Sequence, residues 1–149
     1  MKKRVIDSDY IIGIDEVYDI KAFFKSLLSF YARLDVILTI WGKLPQEVRR
    51  SLDAFKADTS WIKRLFFNQI DLCLNTKSAN LIIESLCDDS VIEKLTWGIT
   101  CGNIPLGASR AWDDMNVNSS RLIDNTTLFQ WLERLKSNGI IESYEKIVD

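Results

Sequence analysis

Two groups of carboxylates are where this 149-residue chain could perform acid–base chemistry: Asp88-Asp89 with Glu93, and Asp113-Asp114. Paired acids whose pKa values are driven apart can serve as acid and base on a glycosidic bond, and grouped acids can hold Mg²⁺. Asp89 and Glu93 would share one helix face. They also flank Ser90, and Ser90-Val91-Ile92-Glu93 has the form of a capping box at a helix start. Capping explains the group without catalysis. The chain has no histidine, so the usual base for a Ser, Cys or Thr nucleophile is missing, as is the commonest nitrogen ligand for zinc and copper. No S-x-x-K stands with the further motifs that would make lysine a credible base. Gly98, Gly102 and Gly107 match neither phosphate-loop pattern, and Arg110 lies outside them. The expectation is a binding protein rather than an enzyme, with no metal and no cofactor.

The three cysteines, Cys73, Cys87 and Cys101, are spaced 14 apart. Leu72-Cys73 echoes Leu86-Cys87, but Gly98-Ile99-Thr100-Cys101 does not continue the echo, so three reduced, buried apolar thiols are expected rather than a repeat or a zinc site. Charge is more informative. Asp7, Asp9, Asp15, Glu16 and Asp19 fall between Val5 and Ile20 with no base among them. That stretch carries −5 of a net −2, leaving +3 on the rest. Tyr10 and Tyr18 sit among these acids, and Trp112-Asp113-Asp114 repeats the mixture of aromatic and carboxylate further on. Acids steer a basic partner from a distance, while aromatics supply buried contact at low entropy cost. The candidate partner-binding residues are therefore Asp7, Asp9, Tyr10, Asp15, Glu16, Tyr18, Asp19, Trp112, Asp113 and Asp114. Lys43 to Arg64 holds six bases and three acids and reads as a mixed helical surface, with Arg49 and Asp53 spaced to pair.

The elements that must position these residues read as mainly helical: a single domain over 1–149, a bundle of five or six helices with one or two short strands, with α+β as the alternative. An apolar fraction of 47% with six Gly and two Pro suits such a chain. Residues 5–14 suggest a short strand or arm. Asp15 or Asp19 would cap a helix to about Arg33, with Ile20, Phe23, Phe24, Leu27, Leu28, Tyr31 and Leu34 on one face. Val36 to Trp41 fits a buried strand or more of that helix. A second helix follows Pro45, and a third follows Asp58 or Thr59, its stripe running Ile62, Leu65, Phe66, Gln69, Ile70, Cys73. Helices are also predicted over Ala79–Leu86 and from Ser90. Trp97 to Trp112 reads as irregular and Met115 to Asn125 as a loop. Thr127-Leu128-Phe129-Gln130 would open a last helix that stops at Asn138-Gly139, before a short terminal strand at Ile140–Tyr144.

In size, acidity and the segment Asp7–Asp19 with its tyrosines, the chain resembles small acidic bacterial toxin-immunity proteins. That resemblance implies a stoichiometric inhibitor whose acids pair with the Lys and Arg of a basic toxin or nuclease while Tyr10, Tyr18 or Trp112 anchor the contact. The basic start Met1-Lys2-Lys3-Arg4 lacks the apolar run a secretory signal needs, and no apolar stretch is long enough to span a bilayer. A cytoplasmic setting away from membranes is expected. Nucleic acid is disfavoured by the net charge. The alternative is a nucleic-acid-binding regulator, because Trp131 to Glu142 looks like the end of a winged helix.

Overall fold

The structure, a computed structural model, describes residues 11–57, 68–110 and 112–147. In place of the expected mainly helical bundle, these residues build a seven-stranded, wholly antiparallel sheet accompanied by five helices. In chain order the elements are β1 (Ile11–Val17), α1 (Ile20–Ala32), β2 (Val36–Trp41), α2 (Gln46–Leu52), a 3-10 turn (Asp53–Phe55), β3 (Gln69–Leu74), α3 (Ala79–Leu86), α4 (Asp89–Ile92), β4 (Thr96–Cys101), β5 (Ile104–Arg110), β6 (Asp113–Asn118), α5 (Asn125–Ser137) and β7 (Ile141–Ile147). Across the sheet the order is β3-β2-β4-β5-β6-β1-β7.

The two long helices follow the physics of their sequences. Asp19, not Asp15, caps α1: its carboxylate accepts a hydrogen bond from the Ala22 N–H at 3.0 Å. The face expected to turn inward does so, with Phe23, Phe24, Leu27, Leu28 and Tyr31 fully buried. On α5 the stripe Leu128, Trp131, Leu132 and Leu135 is buried. The Trp131 ring stacks on Phe30 of α1 at 4.4 Å, and its Nε1 donates to Ser26 Oγ at 2.8 Å. Gly139 closes α5 at φ +71°, with the Ile140 N–H bonded back to the Leu135 carbonyl. Neither predicted capping box forms. Asp88 takes the cap of α4 and accepts from the Ser90 N–H, and α5 begins two residues before Thr127, at Asp124-Asn125.

Strand was under-read where its signals are weak. Gln69–Leu74, assigned to the third helix, is β3, and Ile70, Leu72 and Leu74 turn inward with period two. The start of that expected helix lies outside the described residues. Val36–Trp41 is a strand flanked on both sides, by β3 and β4. Within the region from Trp97 to Trp112, expected to be irregular, the chain up to Arg110 belongs to the hairpin β4–β5, which turns at Gly102 (φ +60°). Met115 to Asn118, expected to be loop, belongs to β6: Met115 and Val117 are buried while Asn116 and Asn118 face the other way. The terminal strand is present and runs on to Ile147.

The three cysteines are free but only half-buried, not buried as expected, and lie in unlike places, β3, the end of α3 and β4, with no repeat behind them. Asp53 makes its ion pair with Lys56 at 3.2 Å rather than with Arg49. Among the described residues no helix is long and apolar enough to cross a membrane.

Candidate partner-binding site

Antiparallel register places one residue of each strand in a single row: Asp71, Thr39, Gly98, Ala108, Asn116, Gly13, Glu145. Alternation puts this row on the face opposite the buried Leu72, Leu38, Trp97 and Val117. Six steps of about 4.8 Å make the row roughly 29 Å long. Its middle is small side chains, so this face is shallow there. One end is organised around Trp41. Its Nε1 donates to Gln69 Oε1 at 3.0 Å, Gln69 Nε2 to Asp71 Oδ1 at 3.1 Å, and Thr39 Oγ1 to the same Asp71 oxygen at 2.7 Å. That network lays the indole over Gly98, where a Cβ would meet the ring at 3.3 Å.

At the other end the sheet opens. The β1–β6 ladder runs Ile11–Asn118, Ile12–Val117, Gly13–Asn116 and goes no further, whereas β1 stays paired with β7 as far as Val17–Ile141. Beyond Gly13 the strands β1 and β6 part around a cleft of about 700 Å³. Ile11, Gly13, Met115, Asn116 and Ile147 line it together with four carboxylates, Asp15, Glu16, Asp114 and Glu145. Among the described residues no lysine or arginine lines it. Three lining residues, Glu16 (φ +24°), Trp112 (φ +69°) and Asp114 (φ +46°), hold left-handed backbone that non-glycine residues seldom adopt. They lie just beyond the point where the β1–β6 ladder ends. Such backbone persists only where the surroundings hold it, and it concentrates at functional sites.

The cleft gathers Asp15, Glu16, Trp112 and Asp114 from the two segments singled out in the sequence. Asp15 also accepts from Ser143 Oγ at 2.8 Å. Trp112 forms a wall rather than a protruding anchor: its Nε1 donates to the Ile92 carbonyl at 2.6 Å, and its ring meets Phe24 edge-on at 5.6 Å. Tyr18 stands 59% exposed at the end of β1. Partial desolvation and the charges of Glu142 and Glu16 raise its pKa above the usual phenol value. Asp19 is spent on the α1 cap and does not line the cleft. Asp113 starts β6 opposite Arg110. Asp7, Asp9 and Tyr10 lie outside the described residues.

Glu145 was missed. It lies 130 positions from Asp15, and only the β1–β7 register joins them; extending the alternation of Ile141, Ser143, Glu145 and Ile147 would have been its only signal. Gly13 reads in the sequence only as part of a short strand or arm, and Asn116 as loop. Of the acids weighed for catalysis, Asp114 lines the cleft, while Asp88 and Asp89 have partners elsewhere. Two hydrogen bonds from Ser90 hold Asp88 below its usual carboxylate pKa, and Asp89 pairs with Lys21 at 2.9 Å.

Among the described residues no three acids or cysteines are gathered closely enough to hold a metal ion. Carboxylates distributed around an open cleft instead suit cations spread over several ångströms, as on a protein surface. No protein-family model, curated protein or solved structure matches the chain.

Proposed function

We propose that this chain is a non-catalytic protein-binding module of the immunity type, a cytosolic stoichiometric inhibitor that covers the active site or substrate groove of a basic toxin or nuclease. One observation carries the proposal: the cleft between β1 and β6 is ringed by Asp15, Glu16, Asp114 and Glu145 and, among the described residues, lined by no base. Like charges held together in a concave site raise the local concentration of cations and speed the approach of a basic surface. Lys or Arg that would hold phosphates in a nuclease would instead meet these four carboxylates, and Ile11 and Ile147, both about half exposed, would supply apolar contact at the rim. The winged-helix alternative gains nothing, because α5 is preceded by β6 and turns rather than by a helix that could enter a groove.

The test is affinity capture of the partner from native cells at low salt, followed by association kinetics with the purified partner at two salt concentrations. The proposal expects one basic protein at equal stoichiometry, bound at a rate that falls steeply with salt. Recovery of nucleic acid, or of a partner whose association ignores salt, would overturn it.

A further inference from the structure

The two edges of the sheet are finished differently. Outside β3 the chain returns alongside: Lys56 bridges to Leu72, and the Ala57 N–H donates to the Asp71 carbonyl at 2.8 Å. That edge is blunted. At the other side β7 is outermost, and among the described residues no strand lies beyond it. Exposed edges usually carry proline, a bulge or charged side chains that discourage pairing. Ile141–Ile147 carries no proline, its register against β1 does not shift, and its charged residues, Glu142, Glu145 and Lys146, are of both signs.

We propose that two copies of this chain pair antiparallel through β7, joining their sheets into one of fourteen strands about a two-fold axis at Tyr144. The sequence of the strand is complementary to itself in that register. Ile141 falls opposite Ile147, Glu142 opposite Lys146 and Ser143 opposite Glu145, each twice by symmetry. Centring the axis two residues earlier sets Glu142 against itself, and two residues later sets Lys146 against itself. Only the Tyr144 axis sets opposite charges against each other. Exposed apolar surface is concentrated at the same margin: Ile11, Tyr18 and Ile147, three of the five large apolar side chains left exposed among the described residues, all sit on or beside β1 and β7. Tyr144 is held ready at the axis, its hydroxyl donating to Glu133 Oε2 at 2.7 Å. The pairing leaves the acidic clefts beside the joined edge in both copies. A single strand pair is a small interface, so association should be weak and concentration-dependent.

Sedimentation equilibrium of the whole chain over a wide concentration range tests this. Wild type should rise from the mass of one chain toward two. Glu142→Lys and Lys146→Glu each create two like-charge contacts and should weaken association at least about tenfold. An equal mixture of the two variants should restore it, because each then meets its complement; far-UV circular dichroism checks that both stay folded. A wild type that stays monomeric throughout would overturn the proposal. So would a dimer that survives both single substitutions, or a mixture no more associated than its components.

Discussion

A methyl group added at Gly107 should destabilise the domain, whereas one added at Gly98 should do little. A Cβ on Gly107 would stand 3.1 Å from the Asn116 carbonyl oxygen, with Trp97 and Val117 at 3.5 Å behind it. The oxygen belongs to β6, the neighbouring strand of the ladder, so relieving the contact means moving backbone in the middle of the sheet. Overpacking of this kind costs about 1–3 kcal/mol. Restricting the unfolded chain returns about 0.4–1 kcal/mol. A net loss of roughly 1–2 kcal/mol corresponds, for a domain of this size, to a melting temperature lower by about 3–6 °C. At Gly98 the atom in the way is the far end of the Trp41 ring at 3.3 Å, and that side chain is 36% exposed, so it can shift outward at the expense of its bond to Gln69. The worst case there is loss of the Trp41–Gln69 hydrogen bond, about 1 kcal/mol, offset by the same entropy gain. Thermal melts followed by circular dichroism should put Gly98→Ala within about 2 °C of wild type. Equal melting temperatures for the two variants would refute the reasoning.

Three further outcomes follow from the packing and the site. Trp131→Phe removes both the bond to Ser26 and part of the stack on Phe30, and should cost about 2 kcal/mol in urea unfolding; a loss below about 0.5 kcal/mol would show that the stack contributes little. Asp19→Ala should lower stability by about 1 kcal/mol through the lost cap, yet leave association with a basic partner unchanged, separating this acid from Asp15 and Glu16; slower association would place Asp19 in the interface. The hydrogen bond to Glu133 pushes the Tyr144 pKa up to about 12. A raised folded-state value means the contribution of Tyr144 is complete below about pH 10, the unfolded value, and is lost as the pH climbs toward 12. The stability gap between wild type and Tyr144→Phe, measured by urea midpoints, should therefore narrow across that range; a constant gap would contradict the assignment.

What the sequence disclosed depended on how each element marks itself. Helices α1 and α5 carry long stripes at helical spacing, and the stop at Gly139 is chemical, so both were legible. Strand β6 was not. Its outward positions Asp114, Asn116 and Asn118 are residue types that strands usually avoid, and they mask the alternation of Met115 and Val117. In β4 and β5, Gly98 and Gly107 look like breakers, although each stands where another group comes close. In β3 the apolar run was short enough to fit either period. Half of the candidate site was legible because aromatics and acids cluster along the chain at Asp15-Glu16 and Trp112-Asp114. The other half, Gly13, Asn116 and Glu145, is made by register between distant strands, which no local pattern encodes.

The central claim is that the cleft between β1 and β6 captures cations of a basic protein. Its most direct test compares wild type with the combined variant Asp15→Asn, Glu16→Gln, Asp114→Asn and Glu145→Gln in the association rate with the captured partner, measured across salt concentrations. Removing four charges should slow association by about tenfold or more at low salt and flatten its salt dependence, with the fold intact by circular dichroism. An unchanged rate and an unchanged salt slope would contradict the account and place the interface elsewhere on the molecule.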